Sequence, residues 1–276
     1  MRFVFVMDPV STVIVDEDTS FALMIEAQNR GHRVDHCLPS DVGLRGRRVV
    51  ARVRSATMQR DPVAPITLAE AEDIDLADVD AVFIRKDPPF TDAYLWLTLV
   101  LDHLEGQTLV VNSPRGLREA NEKLYAHHFP EVVPPTIMTS HKDEILRFVT
   151  EVGGKAVLKP IDGQGGEGVF LLSEGDNNLN ALIEVVTRVG ARNAIVQALI
   201  PEIYQEGDKR ILLVDGELLG VVGRVPSKGD IRSNVHVGGS VAPATLSDAD
   251  RKIIETIAPR LLADGLFFVG LDVIGG

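Results

Sequence analysis

Hydrophobic positions along the first part of the chain switch between two periods. FVFV at 3–6 is a short continuous apolar run, the signature of a buried strand. An apolar-periodic stretch from Phe21 to Ala27, stopped by Gly31, predicts a helix, and AVFIR at 81–85 predicts a strand again. A further helix follows from about Asp92 to Leu104, and TLVVN at 108–112 reads as a strand buried on both faces. This alternation predicts an α/β layered N-terminal domain with a parallel sheet. Residues 39–80, rich in Arg, Asp and Pro with weak periodicity, predict irregular structure or short edge strands.

Pro114 followed by LREANEKLYAHHF predicts one helix whose polar face carries Arg118, Glu122 and Lys123. EVVPPTIMTS breaks the period. Pro134 and Pro135 cannot continue a helix, so the segment reads as a linker and domain boundary. Next come a helix (143–151), the strand AVLKP, a glycine loop at 162–168, the strand GVFLL, a helix (178–189) and the strand AIVQAL. KRILLV and LLGVVGRV are joined by Asp215-Gly216, a hairpin turn signal. The helix after Leu246 begins with Ser247 and Asp250 at capping-box spacing, and LFFVGLDVIGG predicts a final strand. There is no internal repeat.

Composition narrows the function classes. A chain of 276 residues, 45% hydrophobic, can bury a substantial core, and its length is compatible with two domains or one large one. Its net charge of −12 argues against non-specific binding to nucleic acid or an anionic membrane. No apolar run approaches the length of a membrane span, and RFVFV meets Asp8 and Pro9 too early for a signal peptide, so a cytoplasmic location is expected. Cys37 stands alone and is expected to be a packing residue at a half-buried strand end. The seven histidines, among them His127, His128 and His236, lack metal-ligand spacing; surface or capping roles are expected for all.

Gly163, Gly165 and Gly168 satisfy G-x-G-x-x-G, but the loop is followed by VFLL, a β-prone run, rather than by the helix a dinucleotide site needs. No Lys-Ser or Lys-Thr closes it, which excludes a Walker loop. A strand–glycine loop–strand hairpin can fold over a nucleotide, its N–H groups approaching phosphates where no Cβ blocks them. Lys159 ends the strand entering the loop, and Gln197 lies in the following strand where it could meet an adenine. Lys209, Arg210, Arg224 and Arg232 cluster around the later strands and suit the spreading negative charge of phosphoryl transfer. SKGDIRSNVHVGGS, around Arg232 and Asn234, suits a lid. RKDPPF places Arg85 and Lys86 at the carboxyl edge of the sheet, where Met7-Asp8-Pro9 also ends a strand. Asp272, a carboxylate in an apolar strand, needs a cleft, a basic partner or a cation such as magnesium. Each feature has a plainer reading as well: an unliganded hairpin, solvated arginines, a disordered loop, a turn-capping Asp8.

Taken in order, MDP, RKDPPF, NEKL, LKPIDGQGG, GDKR with LLVDGE, Arg-Val-Pro, R-x-N with a following GG, and FVGLDVIG resemble bacterial glutathione synthetase, an ATP-grasp ligase, over essentially the whole chain. The resemblance implies a domain at 1–122 preceding the ATP-grasp fold, a small lid subdomain at 123–199 and a C-terminal subdomain at 200–276. It implies ATP with Mg2+ (or Mn2+), γ-glutamylcysteine and glycine as substrates, an acyl phosphate, neither nucleic acid nor membrane as partner, and a homotetramer. Lys123 and Lys159 would bind ATP phosphates, with Gly163, Gln164, Gly165 and Gly166 in the phosphate-covering loop. Gln197, Ala198, Leu199 and Ile200 would form the adenine hinge, where the family usually has an Asn and an aromatic. Asp208 is similar to the ribose-side acidic residue, and Arg210 and Arg224 to the phosphate and substrate cations. Arg232 and Asn234 match the large mobile loop, Arg85 would hold a substrate carboxylate, and Asp272 resembles a magnesium ligand. The family's strand continues beyond the equivalent of Gly276 into a metal-binding Glu and Asn, so the chain reads as a C-terminally truncated member. Two other readings stay open: a different ATP-grasp carboxylate–amine ligase, and a non-catalytic nucleotide-binding fragment.

Overall fold

The computed structural model describes residues 1–227, 230–233 and 238–275. The chain divides into two compact units, one of Met1–Glu119 with Asp264–Phe267 and one of Ala120–Ala263 with Phe268–Gly276.

The first unit runs β1 (Arg2–Met7), α1 (Thr19–Asn29), β2 (Arg33–Cys37), β3 (Val42–Arg45), β4 (Arg48–Met58), β5 (Ile66–Asp75), β6 (Ala81–Arg85), α2 (Asp92–Leu101), β7 (Leu109–Val111) and α3 (Pro114–Glu119). The sheet has the order β3-β4-β2-β1-β6-β7, with β5 on β4. β2, β1, β6 and β7 are parallel, while β3, β4 and β5 run antiparallel, so the sheet is mixed rather than purely parallel. β1 is buried on both faces because its neighbouring side chains divide between two cores. Val4 and Val6 pack with Leu97 and Leu101 of α2, and Phe5 and Met7 with Phe21 and Met24 of α1. Asp18 caps α1, its carboxylate accepting from Ser20 N (2.6 Å) and Phe21 N (3.0 Å).

Residues 39–80 hold the long β4–β5 hairpin, not irregular structure. In β4, Val49, Ala51 and Val53 point inward in strict alternation, and Arg residues at the outward positions mask the pattern. β7 is an edge strand with Leu109 exposed, so it is not buried on both faces. The single helix expected from Pro114 stops at Glu119, because the Asn121 side chain accepts from the N–H groups of Lys123 and Leu124 (both 3.1 Å) and turns the chain. His36 is buried, not superficial, its Nε2 lying 3.2 Å from the Asp8 carbonyl; burial lowers its pKa. Cys37 is fully buried at the end of β2, and burial raises its thiol pKa far above the ordinary range.

The second unit holds two four-stranded sheets. β8 (Thr136–Thr139), α4 (Lys142–Glu151), β9 (Lys155–Pro160), β10 (Phe170–Ser173), α5 (Leu179–Thr187) and β11 (Ala194–Ala198) form the first, in the order β10-β9-β11-β8. TIMT, expected within a linker, is thus an edge strand paired with β11. Helices α4 and α5 cover one face, Ile145, Val149 and Ile183 packing on Leu158 of β9 and Val196 of β11. The opposite face of β9 and β11 carries Val157, Lys159, Ile195 and Gln197. The second sheet comprises β12 (Asp208–Val214), β13 (Glu217–Val225), β14 (Ser240–Pro243) and β15 (Phe268–Val273), in the order β14-β13-β12-β15; α6 (Ile203–Glu206) precedes it and α7 (Asp248–Ala263) precedes β15. Asp215 (φ +54°) and Gly216 (φ +75°) close the β12–β13 hairpin, as the Asp-Gly signal predicts. A bulge shifts the register between Leu212 and Leu213, leaving Leu219 unpaired.

The capping box of α7 forms as expected: Asp250 N donates to Ser247 Oγ (3.0 Å) and Ser247 N to the Asp250 carboxylate (2.8 Å). Lys209 Nζ donates to the same fully buried carboxylate at 2.6 Å. Lys209 therefore faces α7 and not the basic cluster in which the sequence placed it. Burial pushes the Asp250 pKa up, but Lys209 and Ser247 outweigh it and the net shift is downward. A depressed folded-state pKa means stability that is present above the ordinary carboxylate range and lost as pH falls through the folded value. Asp250→Asn is expected to melt below the wild-type protein at pH 7, with the difference shrinking as pH drops toward about 3. Thermal melts across pH test this; a gap independent of pH would contradict it.

Candidate functional site

The site of the second unit is built from strand alternation. On β12, Lys209, Ile211 and Leu213 occupy one face, so Asp208 and Arg210 share the other. Antiparallel register sets Arg224 of β13 directly opposite Asp208, and Asp272 of β15 directly opposite Arg210. Directly opposed residues put their side chains on the same face. Four charged groups are thereby gathered on one side of the sheet.

Their contacts form one network. Arg224 grips Asp208 through Nε (2.8 Å) and Nη2 (2.7 Å), and Nη2 also reaches Asp272 Oδ1 at 2.7 Å. Arg210 Nε meets the same Asp272 oxygen at 2.9 Å. Arg210 can lie there because residue 270 is glycine: a Cβ on Gly270 would stand 2.5 Å from Arg210 Nη1. Burial lowers the Arg224 pKa, but Asp208 and Asp272 outweigh it and hold the guanidinium above its ordinary range.

Lysines come from β9 of the first sheet and from the turn that follows α3. Lys159 Nζ donates to Gln197 Oε1 at 2.8 Å, and Gln197 Nε2 to Thr136 Oγ1 at 3.1 Å. Lys123 Nζ donates to the carbonyl of Gly163 in the glycine loop. Burial lowers the Lys159 pKa, the charge of Lys123 lowers it further, and Asp272 partly opposes both. Lys123 and Asp272 are thus the two charges that act on Lys159, with opposite signs. The glycine loop is a tight turn closed by Glu167 N to Gln164 O at 2.9 Å, with Gly165 (φ +59°) and Gly166 (φ +84°) at its centre, a backbone that favours glycine at both positions. Gln197 and Ala198 end β11, and Leu199 and Ile200 follow it. Arg232 is paired with Asp230 (Nη2 at 2.7 Å), which holds that carboxyl at about 2, and its Nη1 lies 3.4 Å from the Gly166 carbonyl. Asn234 and His236 lie outside the described residues.

In the first unit, β1 and β6 pair with Met7 beside Arg85, so the turns after them adjoin at the carboxyl edge. Asp8 accepts from Lys86 Nζ (3.1 Å) and Asp87 N (2.9 Å). Arg85 donates through Nε to Ser20 Oγ (3.0 Å) and through Nη2 to Thr19 Oγ1 (2.8 Å). Burial lowers its pKa, opposed by Asp87 and Asp18. Sequence reasoning missed Thr19, Ser20 and Asp230. The signal available for the first two was their position in the first turn of a capped helix, and for Asp230 its spacing of two from Arg232.

Among the described residues no group of three or more His, Cys, Asp and Glu could hold a metal. Asp272, its side chain 45% exposed, offers one carboxylate whose Oδ1 already meets Arg224 and Arg210. That fits a magnesium ion taking its remaining ligands from phosphates and water, and not an all-protein cage. No helix among the described residues is long and apolar enough to cross a membrane.

D-cycloserine synthetase aligns with a TM-score of 0.66 at 14% identity, covering 99% of this chain and 87% of that one. ATP-grasp ligase PsnB, solved with minimal precursor, Mg and ADP, aligns at 0.62 and 18%, covering 99% and 84%. The fold is that of the ATP-grasp ligases. Sequence comparison is more specific: the models of the prokaryotic glutathione synthetase N-terminal domain and ATP-grasp domain match residues 1–118 and 122–276. Glutathione synthetase of Gloeobacter violaceus is 45% identical, covering 100% of this chain and 86% of its own length; that of Vibrio vulnificus is 43% identical, covering 98% and 85%. The chain belongs to the prokaryotic glutathione synthetase family, and its activity is an ATP-dependent ligation in glutathione synthesis.

Proposed function

We propose that the chain joins γ-glutamylcysteine to glycine at the expense of ATP, with ADP and phosphate released, and that the network above carries the chemistry. The observation that supports this most directly is that Lys123 and Asp272 both act electrostatically on Lys159, with Arg210 and Arg224 beside the carboxylate. The cysteinyl carboxylate attacks the γ-phosphorus and ADP leaves, forming an acyl phosphate. The glycine amine then attacks the acyl carbon and phosphate departs. In the first step negative charge spreads over the transferred oxygens, where Arg210 and Arg224 stabilise it. Lys123 and Lys159 hold the nucleotide phosphates, and the Gln164–Glu167 turn covers them, excluding water from an intermediate that hydrolysis would waste. Gln197 to Ile200 line the adenine, and Arg232, released from Asp230, closes over the phosphates. Magnesium, held through Asp272, supplies further neutralisation of phosphate charge when bound.

Arg85, oriented by Thr19 and Ser20, binds a substrate carboxylate. Arg85→Ala is expected to raise KM for the dipeptide by roughly 10- to 100-fold with a smaller change in kcat, since it removes a charge-assisted pair to a substrate carboxylate that takes no part in the reaction. Steady-state kinetics with γ-glutamylcysteine varied would check it; an unchanged KM removes Arg85 from the site.

The function itself is tested by ADP release with γ-glutamylcysteine and glycine against other acid–amine pairs. Strong preference for another pair would keep the ligase and overturn the substrates. A homotetramer in the cytoplasm, where ATP is available, belongs to the same reading, and sedimentation equilibrium tests the assembly.

A further inference from the structure

We propose that Arg192 is a positioning residue of the nucleotide site: by pairing with Asp162 it anchors the stem of the glycine loop, so that the Gln164–Glu167 turn stands ready over the phosphates. The inference rests on the reading of that loop as the phosphate cover.

The placement follows from register. β9 and β11 pair antiparallel with Pro160 opposite Ala194, and carrying that register two residues beyond the ladder brings Asp162 opposite Arg192. There the Arg192 guanidinium donates through Nη2 to Asp162 Oδ2. Burial raises the Asp162 pKa, but this bond, the residue's own N–H and the charges of Arg192 and Arg188 outweigh it, and the net shift is downward.

The arginine's end of the pair is fixed to the core. Arg192 N donates to the Thr187 carbonyl at 2.8 Å. Thr187 is buried at the end of α5, its hydroxyl donating to Ile183 O at 2.7 Å and accepting from Gly190 N at 3.2 Å. Between Thr187 and Arg192 the chain turns through three left-handed residues, Arg188 (φ +49°), Val189 (φ +56°) and Gly190 (φ +81°). A β-branched residue in that region is strained, and Val189, 82% exposed, gains no burial in return. What the strained turn does is deliver Arg192 to the loop.

The loop folds back on its own stem. A Cβ on Gly163 would stand 2.5 Å from Pro160 Cγ and 2.9 Å from the Glu167 carbonyl oxygen, so a tilt at Asp162 carries the whole turn with it. Lys123 Nζ donates to the Gly163 carbonyl, and Arg232 Nη1 lies 3.4 Å from the Gly166 carbonyl. Both are cations assigned above to the phosphates, so both leave the loop when nucleotide arrives. The Arg192 tie is the one that nucleotide binding leaves in place. With side chains 37% and 53% exposed, Arg192 and Asp162 form a pair that salt screens and that is weak enough to open when nucleotide departs.

The experiment measures kcat and KM for ATP on the wild-type protein, Asp162→Asn, Arg192→Gln, the double variant and Gly166→Ala, with whichever acid–amine pair the wild-type protein accepts. At about 20 mM KCl, Asp162→Asn and Arg192→Gln are each expected to raise KM roughly three- to fivefold with kcat within about twofold, the scale of one exposed pair. The double variant should match Arg192→Gln within about 1.5-fold, because the second change removes a bond already lost. At about 500 mM KCl the ratio of variant to wild-type KM should fall toward one, a response that a general loss of packing would not give. The assignment is overturned if Arg192→Gln at low salt keeps KM within about 1.5-fold of the wild-type value, if the double variant shows the product of the two single effects, roughly ninefold or more, or if the ratio is indifferent to salt. Gly166→Ala, which forces a side chain into φ +84°, separates this assignment from the reading beneath it. An impaired Gly166→Ala beside an unimpaired Arg192→Gln overturns the role of Arg192 alone; a Gly166→Ala protein with wild-type kinetics overturns the phosphate cover and the role of Arg192 with it.

Discussion

Lys159→Gln is expected to lower kcat/KM for ATP by roughly 10²- to 10³-fold, the cost of removing one preorganised charge from a phosphoryl-transfer site. Lys159 is the cation on which the local structure spends most. Lys159 is half-buried at the end of β9, and desolvation first and the charge of Lys123 second lower its pKa. Gln197 Oε1 supplies a neutral partner at 2.8 Å, which orients the ammonium without cancelling its charge. A polyphosphate would favour the charged form and raise the pKa again. The sign follows: ATP binds the protonated state, so affinity is full below the free-state pKa and falls as pH rises above it, and binding there takes up a proton. Calorimetry at about pH 9 in two buffers of different ionisation enthalpy should detect that uptake in the wild-type protein and lose it in Lys159→Gln. A glutamine variant within about threefold of the wild-type kcat/KM would remove Lys159 from the phosphate site.

Why Lys159 was legible from sequence, while its companions were less so, is a matter of range. The lysine precedes a glycine loop between two β-prone runs, so three local signals agree. Asp215-Gly216 likewise announced its hairpin, and Ser247 with Asp250 their cap. The pairing of Asp208 with Arg224 could not be read, because it hangs on a bulge at Leu212/Leu213 and a one-residue slip would reverse every face of β13. Asp272 did announce a need for partners, as a charge in an apolar strand, but that these are Arg224 and Arg210 follows from two different neighbouring strands. In the first unit, outward arginines hid the alternation of β4, and the Asn121 turn interrupted a helix whose composition had no visible stop. Local chemistry survives in sequence; register and side-chain competition for backbone groups do not.

The same register makes Gly207→Ala the most damaging small substitution expected in the second unit. Gly207 joins α6 to β12, its N–H closing α6 on the Ile203 carbonyl at 3.2 Å, and its backbone sits at φ +71°, ψ −149°, a region essentially restricted to glycine. A methyl group there would stand 2.0 Å from the Arg224 carbonyl oxygen and 3.1 Å from Val225 Cα. Both are backbone atoms inside the β12–β13 ladder, so no side-chain rotation relieves the clash. Strain of about 1–3 kcal/mol adds to overpacking of about 1–3 kcal/mol, giving an expected loss of roughly 2–6 kcal/mol. Gly216→Ala provides the comparison: its φ is also positive, but a Cβ would meet only the side chains of Ala258 and Leu262, at 3.3 Å, and a smaller loss is expected. Urea denaturation of the three proteins tests the order, and Gly207→Ala within about 1 kcal/mol of the wild-type protein would refute it. The functional effect should exceed the stability effect. Any relief of the clash moves Arg224 away from Asp208 and Asp272, so variant molecules that remain folded at low temperature should turn ATP over slowly. Backbone clearance at residue 207 is thus a condition for the buried pair that aims the guanidinium.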